Sequence, residues 1–268
     1  MPRQITAFSN PLVKRVRLLR DKRHRKAEGL FLAEGLRILA EAEEIGVLPQ
    51  WLFFAADGAD HPIVRRLIAK VEAAGGEAIE TSRDILHKLS GKENPQTVLG
   101  VYPQPDTSLG RIDRTAAPIW LVAQALRDPG NLGTILRTGD AVGAGGLILI
   151  DDCVDPFSVE AVRASMGALF TQAIVQTRWD AFLSWLRSGP GQLVATHLEA
   201  SVDYRAPAYR APAFLLIGNE AQGLPADYAA ACDVRVKIPM RGRADSLNAA
   251  VACAVMAYEV LGRFEPLA

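Results

Sequence analysis

The sequence has few cysteines, few aromatic residues and no long uncharged apolar run. Its three cysteines, Cys153, Cys232 and Cys253, are too scattered for a disulfide framework or a CxxC metal site. Each is therefore expected to be a small buried apolar residue, and no metal site is predicted. Because the chain also lacks a signal-peptide core and a run of about 20 apolar residues, we expect a cytoplasmic protein without a membrane span.

Net charge is also absent, since 30 Lys and Arg balance 30 Asp and Glu. This balance argues against a protein that coats nucleic acid, but the cations are unevenly distributed. Charge alone leaves two readings of the cation-rich opening segment, a solvated helical face or an arm that contacts nucleic-acid phosphates. The segment contains Lys14, Arg15, Arg17, Arg20, Lys22, Arg23, Arg25 and Lys26, opposed there by Asp21.

The length and the hydrophobic content indicate one large or two modest domains. A chain of 268 residues with 49% hydrophobic content can bury a sizeable core. The stretch between Pro103 and Pro118 is rich in Pro, Asp, Ser, Thr and Arg and lacks apolar periodicity, which is typical of a linker. We therefore predict a compact α/β domain over residues 1–103, a linker over 104–117 and a second domain over 118–268.

Apolar runs of strand length recur through the second domain and alternate with helical segments. This alternation predicts an α/β fold with a mostly parallel sheet. The predicted strands are Ile119–Ala123, Leu147–Ile150, Leu193–Ala195, Phe214–Ile217 and Val234–Ile238.

Three loops of the second domain carry the polar residues of interest. In the first, Asn131 is placed to cap a helix that presents Arg137 about a turn and a half later. In the second, a buried strand breaks into a glycine-containing loop that carries Glu220. In the third, a short strand and a glycine loop lead to Ser246-Leu247-Asn248, at the start of an Ala- and Val-rich helix. A helix N-terminus of this kind favours anions and ligands.

In order, residue type and C-terminal position, these loops resemble the three motifs of the SpoU/TrmH family of RNA ribose 2′-O-methyltransferases, within the SPOUT superfamily. The resemblance implies S-adenosylmethionine as the cofactor and a catalytic domain tied in a deep trefoil knot. It also implies a homodimer with its two pockets at or near the subunit interface. The apolar stripe of Leu247, Val251, Val255 and Tyr258 is suited to that interface or to the core.

The resemblance also assigns roles to individual residues. Arg137 matches the central catalytic residue, and because a guanidinium stays charged, orientation and charge stabilisation are safer roles for it than that of a base. Capping alone remains an alternative role for Asn131 and Ser246. The implied catalytic residues are Arg137, Asn131, Glu220, Ser246 and Asn248. The implied cofactor-binding residues are Thr196, Gly218, Ile238 and Leu247.

The first domain, through Asn10–Lys14 and Phe31–Arg37, resembles the substrate-binding domain that precedes many SpoU catalytic domains and is similar to small RNA-binding ribosomal proteins. This favours ribosomal RNA of the 23S type as substrate, with Arg20, Arg23 and Arg25 expected to contact its phosphates. The Thr196–Leu198 loop instead resembles tRNA-modifying relatives. A tRNA 2′-O-methyltransferase and a non-catalytic RNA-binding or ribosome-assembly protein therefore remain alternatives.

Overall fold

The computed structural model describes residues 2–91, 96–200 and 202–264. The chain divides into two compact units. The first unit comprises Met1–Pro105 together with Asp155–Thr171, and the second comprises Asp106–Val154 together with Gln172–Ala268. In the described part of the chain, every helix is too short or too polar to cross a lipid bilayer.

Strands and helices alternate along most of the chain. The strands are β1 (Arg3–Ile5), β2 (Leu30–Glu34), β3 (Trp51–Ala55), β4 (Glu77–Thr81), β5 (Val98–Pro103), β6 (Ile119–Gln124), β7 (Gly146–Ile150), β8 (Ala173–Thr177), β9 (Gln192–Thr196), β10 (Ala213–Ile217) and β11 (Val234–Val236). The helices are α1 (Pro11–Leu18), α2 (Lys22–Glu28), α3 (Leu36–Glu44), α4 (Pro62–Ala73), α5 (Arg83–Ser90), α6 (Pro129–Ala141), α7 (Val159–Ser165), α8 (Ala168–Thr171), α9 (Trp179–Arg187), α10 (Ala226–Ala230) and α11 (Ala249–Phe264).

The first unit is built on a mixed five-stranded sheet in the order β1-β4-β3-β5-β2. Strand β5 runs antiparallel to both β2 and β3, whereas β1, β3 and β4 are parallel. Helix α1 begins at Pro11, and the Asn10 side chain caps it by accepting a hydrogen bond from the Leu12 N–H at 2.9 Å. Residues of α1 and α5 pack into a common core with the sheet, as Val16 and Leu89 illustrate.

The second unit contains a six-stranded sheet in the order β11-β9-β10-β6-β7-β8, and every pairing in it is parallel. The predicted α/β fold with a mostly parallel sheet is confirmed. Strand β8 is not among the predicted strands, because only Ile174 and Val175 are fully buried in it. Two buried residues do not form an apolar run that stands out in a sequence.

The structure corrects the expectation for Arg25. This side chain is only 3% exposed, and its guanidinium donates to Asp155 Oδ2 at 2.6 and 3.0 Å and to the backbone carbonyls of Leu19 and Arg20. Its hydrogen-bonding groups are used inside the first unit, so Arg25 is not free to contact a phosphate. The opening cation cluster therefore contains a structural arginine among surface cations.

Candidate functional site

The candidate residues of the second unit are distributed along one edge of its parallel sheet. Thr196 is the last residue of β9, Gly218 directly follows β10, and Ile238 lies two residues beyond β11. Strand β6, which leads to α6 and Asn131, is the next neighbour of β10. The carboxyl ends of adjacent parallel strands lie at the same sheet edge, where ligands bind in open α/β folds.

Asp128, not Asn131, caps α6. The Asp128 side chain accepts a hydrogen bond from the backbone N–H of Asn131 at 2.6 Å, and Pro129 occupies the first helical turn. The expectation that Asn131 caps this helix is therefore wrong. Proline is favoured at the first helical position, which moves the cap to the residue before it. The Asn131 side chain is free for other contacts.

Asn131 is the centre of a chain of side-chain hydrogen bonds. Its Nδ2 donates to Glu220 Oε1 at 3.1 Å, and its Oδ1 accepts from Asn248 Nδ2 at 2.9 Å. These three residues come from the three loops that the sequence singled out. We call this arrangement the Asn131 network. It fixes the orientation of both amides, since each amide has a donor and an acceptor partner.

The Glu220 carboxylate receives hydrogen bonds at the N-terminal side of α6. Besides Asn131, the backbone N–H groups of Arg127 and Asp128 donate to it at 3.2 Å. Partial desolvation favours the neutral carboxyl, but the hydrogen bonds to its oxygens outweigh this effect and lower the pKa of Glu220. Glu220 is therefore held as an anion near the positive end of the helix dipole. Such a carboxylate is suited to positioning Asn131 and is a poor proton acceptor at neutral pH.

Asn219 also organises this loop, although it was not among the residues expected at the site. Its Oδ1 accepts hydrogen bonds from the N–H groups of Ala221 and Gln222, and its Nδ2 donates to the Ala125 carbonyl at 2.7 Å. Ala125 has a φ of 49°, in the left-handed region. One side chain thus shapes the loop after β10 and holds it to the loop after β6. An asparagine after a strand is a signal for such a turn.

The third loop supplies Asn248 as the cap of α11. Asn248 Oδ1 accepts from the backbone N–H of Ala250 at 2.9 Å and of Val251 at 3.3 Å. Ser246 is not the cap, because its hydroxyl instead donates to Asp245 Oδ1 at 3.2 Å. The alternative that Ser246 only caps this helix is therefore wrong. Asn248 both caps the helix and belongs to the Asn131 network.

A cavity of about 610 Å³ brings most of the predicted catalytic residues together. Its walls include all three members of the Asn131 network, together with Ser246 and Leu247. Ligand pockets have volumes of about 300–1,000 Å³, so this cavity is of the expected size. Thr196, Gly218 and Ile238 lie at the same sheet edge but are not among the residues that line it.

Arg137 does not line this cavity either. It is exposed on α6, whereas Leu132 and Leu136 of the same helix are buried. Among the residues that the structure describes, none forms an ion pair with Arg137. Its guanidinium therefore remains available to an anion from outside the chain.

Gly218 is required by the loop itself. A Cβ at this position would lie 2.5 Å from the Gly223 carbonyl carbon and 2.7 Å from the Leu224 nitrogen. These separations are shorter than side-chain carbons tolerate, so the close approach at Gly218 is made by protein backbone. A larger residue there would disturb the loop before it met any ligand.

The segment between β11 and α11 offers unused hydrogen-bonding groups. From Ile238 to Leu247, no backbone N–H donates to another described residue. Leu247 adds an exposed apolar side chain to this segment. Free amides beside apolar surface suit a ligand that combines a flat ring with polar edges.

Comparison with known proteins identifies the family. The model of the SpoU rRNA Methylase family matches residues 118–258, and the model of the MRM3-like substrate binding domain matches residues 10–100. The chain belongs to the SpoU rRNA methylase family. The predicted family is confirmed, and the trefoil knot is implied by SpoU membership.

Several similar proteins and structures match nearly the whole length of this chain. An AdoMet-bound rRNA methyltransferase from Sinorhizobium meliloti has a TM-score of 0.91 and 39% sequence identity, covering 99% of both chains. The 23S rRNA (uridine(2479)-2′-O)-methyltransferase of Streptomyces viridochromogenes is 32% identical, covering 91% of this chain and 86% of that protein. The 23S rRNA (guanosine(2553)-2′-O)-methyltransferase RlmP of Bacillus subtilis is 28% identical, covering 97% and 100%.

Proposed function

We propose that this protein methylates a ribose 2′-hydroxyl of 23S-type ribosomal RNA with S-adenosylmethionine as methyl donor. Membership of the SpoU family confirms the predicted class of RNA ribose 2′-O-methyltransferase. Two full-length relatives are named as 23S rRNA 2′-O-methyltransferases, and a close structural neighbour is described as AdoMet-bound. These relatives favour ribosomal RNA over tRNA as the substrate. We place the reaction in the cytoplasm, where ribosomes are assembled.

The cofactor is assigned to the sheet edge at β9, β10 and β11. Thr196, the Gly218 loop and Ile238 follow these three neighbouring strands. The free backbone amides from Ile238 to Leu247 fit the polar edge of an adenine, and the Leu247 side chain fits its apolar face. The residues present therefore fit S-adenosylmethionine. Gly218 contributes by shaping the loop, since its Cβ position is filled by backbone.

When bound, S-adenosylmethionine would supply its sulfonium methyl group to the ribose oxygen and be left as a neutral thioether, and the hydroxyl proton would pass to solvent water. The protein must hold the ribose in line for this transfer and neutralise the adjacent phosphate. Arg137 is assigned to the phosphate, because its exposed guanidinium is permanently charged and can bind two oxygens at once.

The Asn131 network is assigned to positioning the ribose. Asn131, Glu220 and Asn248 are held by one another, and Ser246 lines the same cavity. A preorganised set of polar groups orients a substrate without paying for its own rearrangement. This network is the observation that carries the proposed function, because it unites the three loops in one cavity.

A homodimer is the proposed assembly. The exposed apolar residues Leu247, Val251 and Tyr258 lie at and along α11, and Leu247 also lines the cavity. Pairing of two copies through this stripe would cover it and bring each cavity close to the interface. Sedimentation of the Val251→Asp/Tyr258→Asp variant tests the assembly: we expect the wild type to sediment as a dimer and the variant as a monomer.

The activity is tested by incubating the protein with labelled S-adenosylmethionine and either 23S rRNA or tRNA. We expect label on a ribose of 23S rRNA, since the named relatives act there. Label on tRNA alone would replace the proposed substrate, and binding of both RNA and cofactor without transfer would favour a non-catalytic protein.

A further inference from the structure

Ion pairing separates the arginines of the first unit into two groups. Eight of its described arginines form a salt bridge with a carboxylate, and three form none. The paired group comprises Arg3, Arg15, Arg25, Arg37, Arg65, Arg66, Arg83 and Arg163. The unpaired group comprises Arg17, Arg20 and Arg23, all within seven residues of α1, α2 and the turn between them. Positive charge is thus left uncompensated at one place on this unit.

Two of the unpaired arginines open into a cavity of about 490 Å³ between α1 and α5. Arg17 and Arg20 line it together with His87 and Lys88. Phe8, which is 45% exposed, contributes an aromatic ring. Asp84 is the single carboxylate among the described lining residues, so positive charge prevails. We call this cavity the Phe8 pocket.

Local packing holds Arg20 and Lys88 of the pocket in place. A Cβ at Gly91 would lie 2.2 Å from Arg20 Cζ, so the guanidinium rests directly against the glycine backbone. Gly91 also ends α5 with a φ of 73°, which favours glycine. The Lys88 ammonium lies 4.8 Å from the centroid of the Phe8 ring. The cations and the exposed ring therefore face a common space.

This combination has a specific chemical fit. Guanidinium groups bind phosphate oxygens in a bidentate manner, and an exposed aromatic ring stacks with any nucleobase. An acidic peptide would satisfy the cations but would not need the ring. Proteins recognise single-stranded RNA in this way: cationic side chains bind the phosphates of the RNA backbone, and aromatic side chains stack against the bases.

We propose that the Phe8 pocket binds an unpaired nucleotide of the RNA substrate, with its two flanking phosphates on Arg17 and Arg20 and its base against Phe8. The proposal rests on the proposed function for the identity of the RNA. It goes beyond a general basic arm, because it draws on α5 and Phe8 and excludes Arg25. None of its lining residues belongs to the cavity that holds the Asn131 network.

The test measures binding of a 23S rRNA fragment and of single-stranded oligouridylate by fluorescence anisotropy over a range of salt concentrations. For Arg17→Gln/Arg20→Gln we expect weaker binding and a salt slope reduced by about 1.4, since each single-strand phosphate contact contributes about 0.7. The matched control is Arg3→Gln/Arg65→Gln, which removes two exposed arginines that are already ion-paired. This control should leave the salt slope unchanged.

The aromatic part of the proposal has its own variants. Phe8→Ala should weaken RNA binding roughly fivefold or more without changing the salt slope, because stacking is uncharged. Phe8→Trp should retain binding. Leu18→Ala, which truncates an exposed apolar residue outside the pocket, should match the wild type.

Two results would overturn the proposal. The first is a salt slope of RNA binding that is the same for Arg17→Gln/Arg20→Gln as for the control Arg3→Gln/Arg65→Gln. Arg20 would then be only a structural contact of α5. The other is unchanged RNA affinity in Phe8→Ala, which would reduce the pocket to a general basic surface. Methyl transfer by the wild type is measured separately. If the wild type transfers no methyl group while the pocket variants still lose RNA binding, the proposed function fails and the pocket stands.

Discussion

The cavity of the second unit and the Phe8 pocket of the first both contain several polar side chains. The two sites differ in whether these side chains have bonding partners within the protein. In the cavity, Asn131, Glu220 and Asn248 satisfy one another. In the Phe8 pocket, Arg17 and Arg20 have no anionic partner among the described residues. The first arrangement is complete before a substrate arrives, whereas the second acquires its partners from the ligand.

This difference decides how substitutions should behave. Groups that hold each other in place lose their function together, so their effects are not additive. Separate surface cations each neutralise one phosphate, so their effects add and depend on salt. Positioning of the ribose is thus assigned to the Asn131 network, whereas binding of phosphates is assigned to separate exposed arginines.

The largest expected effect contrasts a paired with an unpaired cation in the basic segment. Arg25→Ala should lower the free energy of unfolding by about 3–5 kcal/mol, because it leaves Asp155 without its buried partner. Arg23→Ala, two residues away and unpaired, should change it by less than about 0.5 kcal/mol. Urea denaturation of both variants measures the difference. Equal stabilities would mean that the buried pair does not form.

Arg137→Ala is expected to have the next largest effect, this time on catalysis. Loss of an electrostatic group should lower the rate constant of methyl transfer by about 10²–10³-fold. Cofactor affinity should stay within a few-fold, since Arg137 is assigned to the RNA. Arg178→Ala removes another exposed arginine of the second unit and serves as the control. A variant as active as this control would remove Arg137 from the mechanism.

The loop after β10 provides a smaller effect on stability. Gly218→Ala should destabilise the protein by about 1–3 kcal/mol, because its Cβ would overlap the Gly223 backbone. Gly110→Ala places a Cβ where no atom lies within 4 Å and should be nearly neutral. Thermal denaturation and cofactor titration separate the two consequences. Full stability with lost cofactor binding would show that Gly218 faces the ligand after all.

The smallest expected effect is the coupling free energy between two members of the Asn131 network. In a double-mutant cycle on methyl transfer, Asn131→Ala and Asn248→Ala should couple by about 0.5–3 kcal/mol, because each removes a partner of the other. Replacing Asn248 should then add little once Asn131 is gone. Strictly additive losses would show that the two amides act on the substrate independently.

The sequence was sufficient for the fold class and for the loops that form the cavity, because both depend on local patterns. Alternating apolar runs and helical segments predict the parallel sheet, and glycine-containing loops after strands mark its functional edge. The family motifs then indicate which polar residues of these loops belong to the site. Asn131, Glu220 and Asn248 are all among them.

The partners of these residues could not be predicted, because they depend on contacts between distant segments. Asn131 and Glu220 are 89 residues apart, and Arg25 and Asp155 are 130 residues apart. Charge pattern alone gave Arg25 the same role as Arg23. The cap of α6, in contrast, is a local feature of the sequence, since Pro129 directly after Asp128 marks the helix start.

The most direct test of the central claim is transfer of a labelled methyl group from S-adenosylmethionine to 23S rRNA, followed by mapping of the modified position. We predict one alkali-resistant ribose 2′-O-methyl group with the wild type, and its loss with Arg137→Ala while the variant still binds cofactor. Label on a base, or undiminished ribose methylation by Arg137→Ala, would contradict the account.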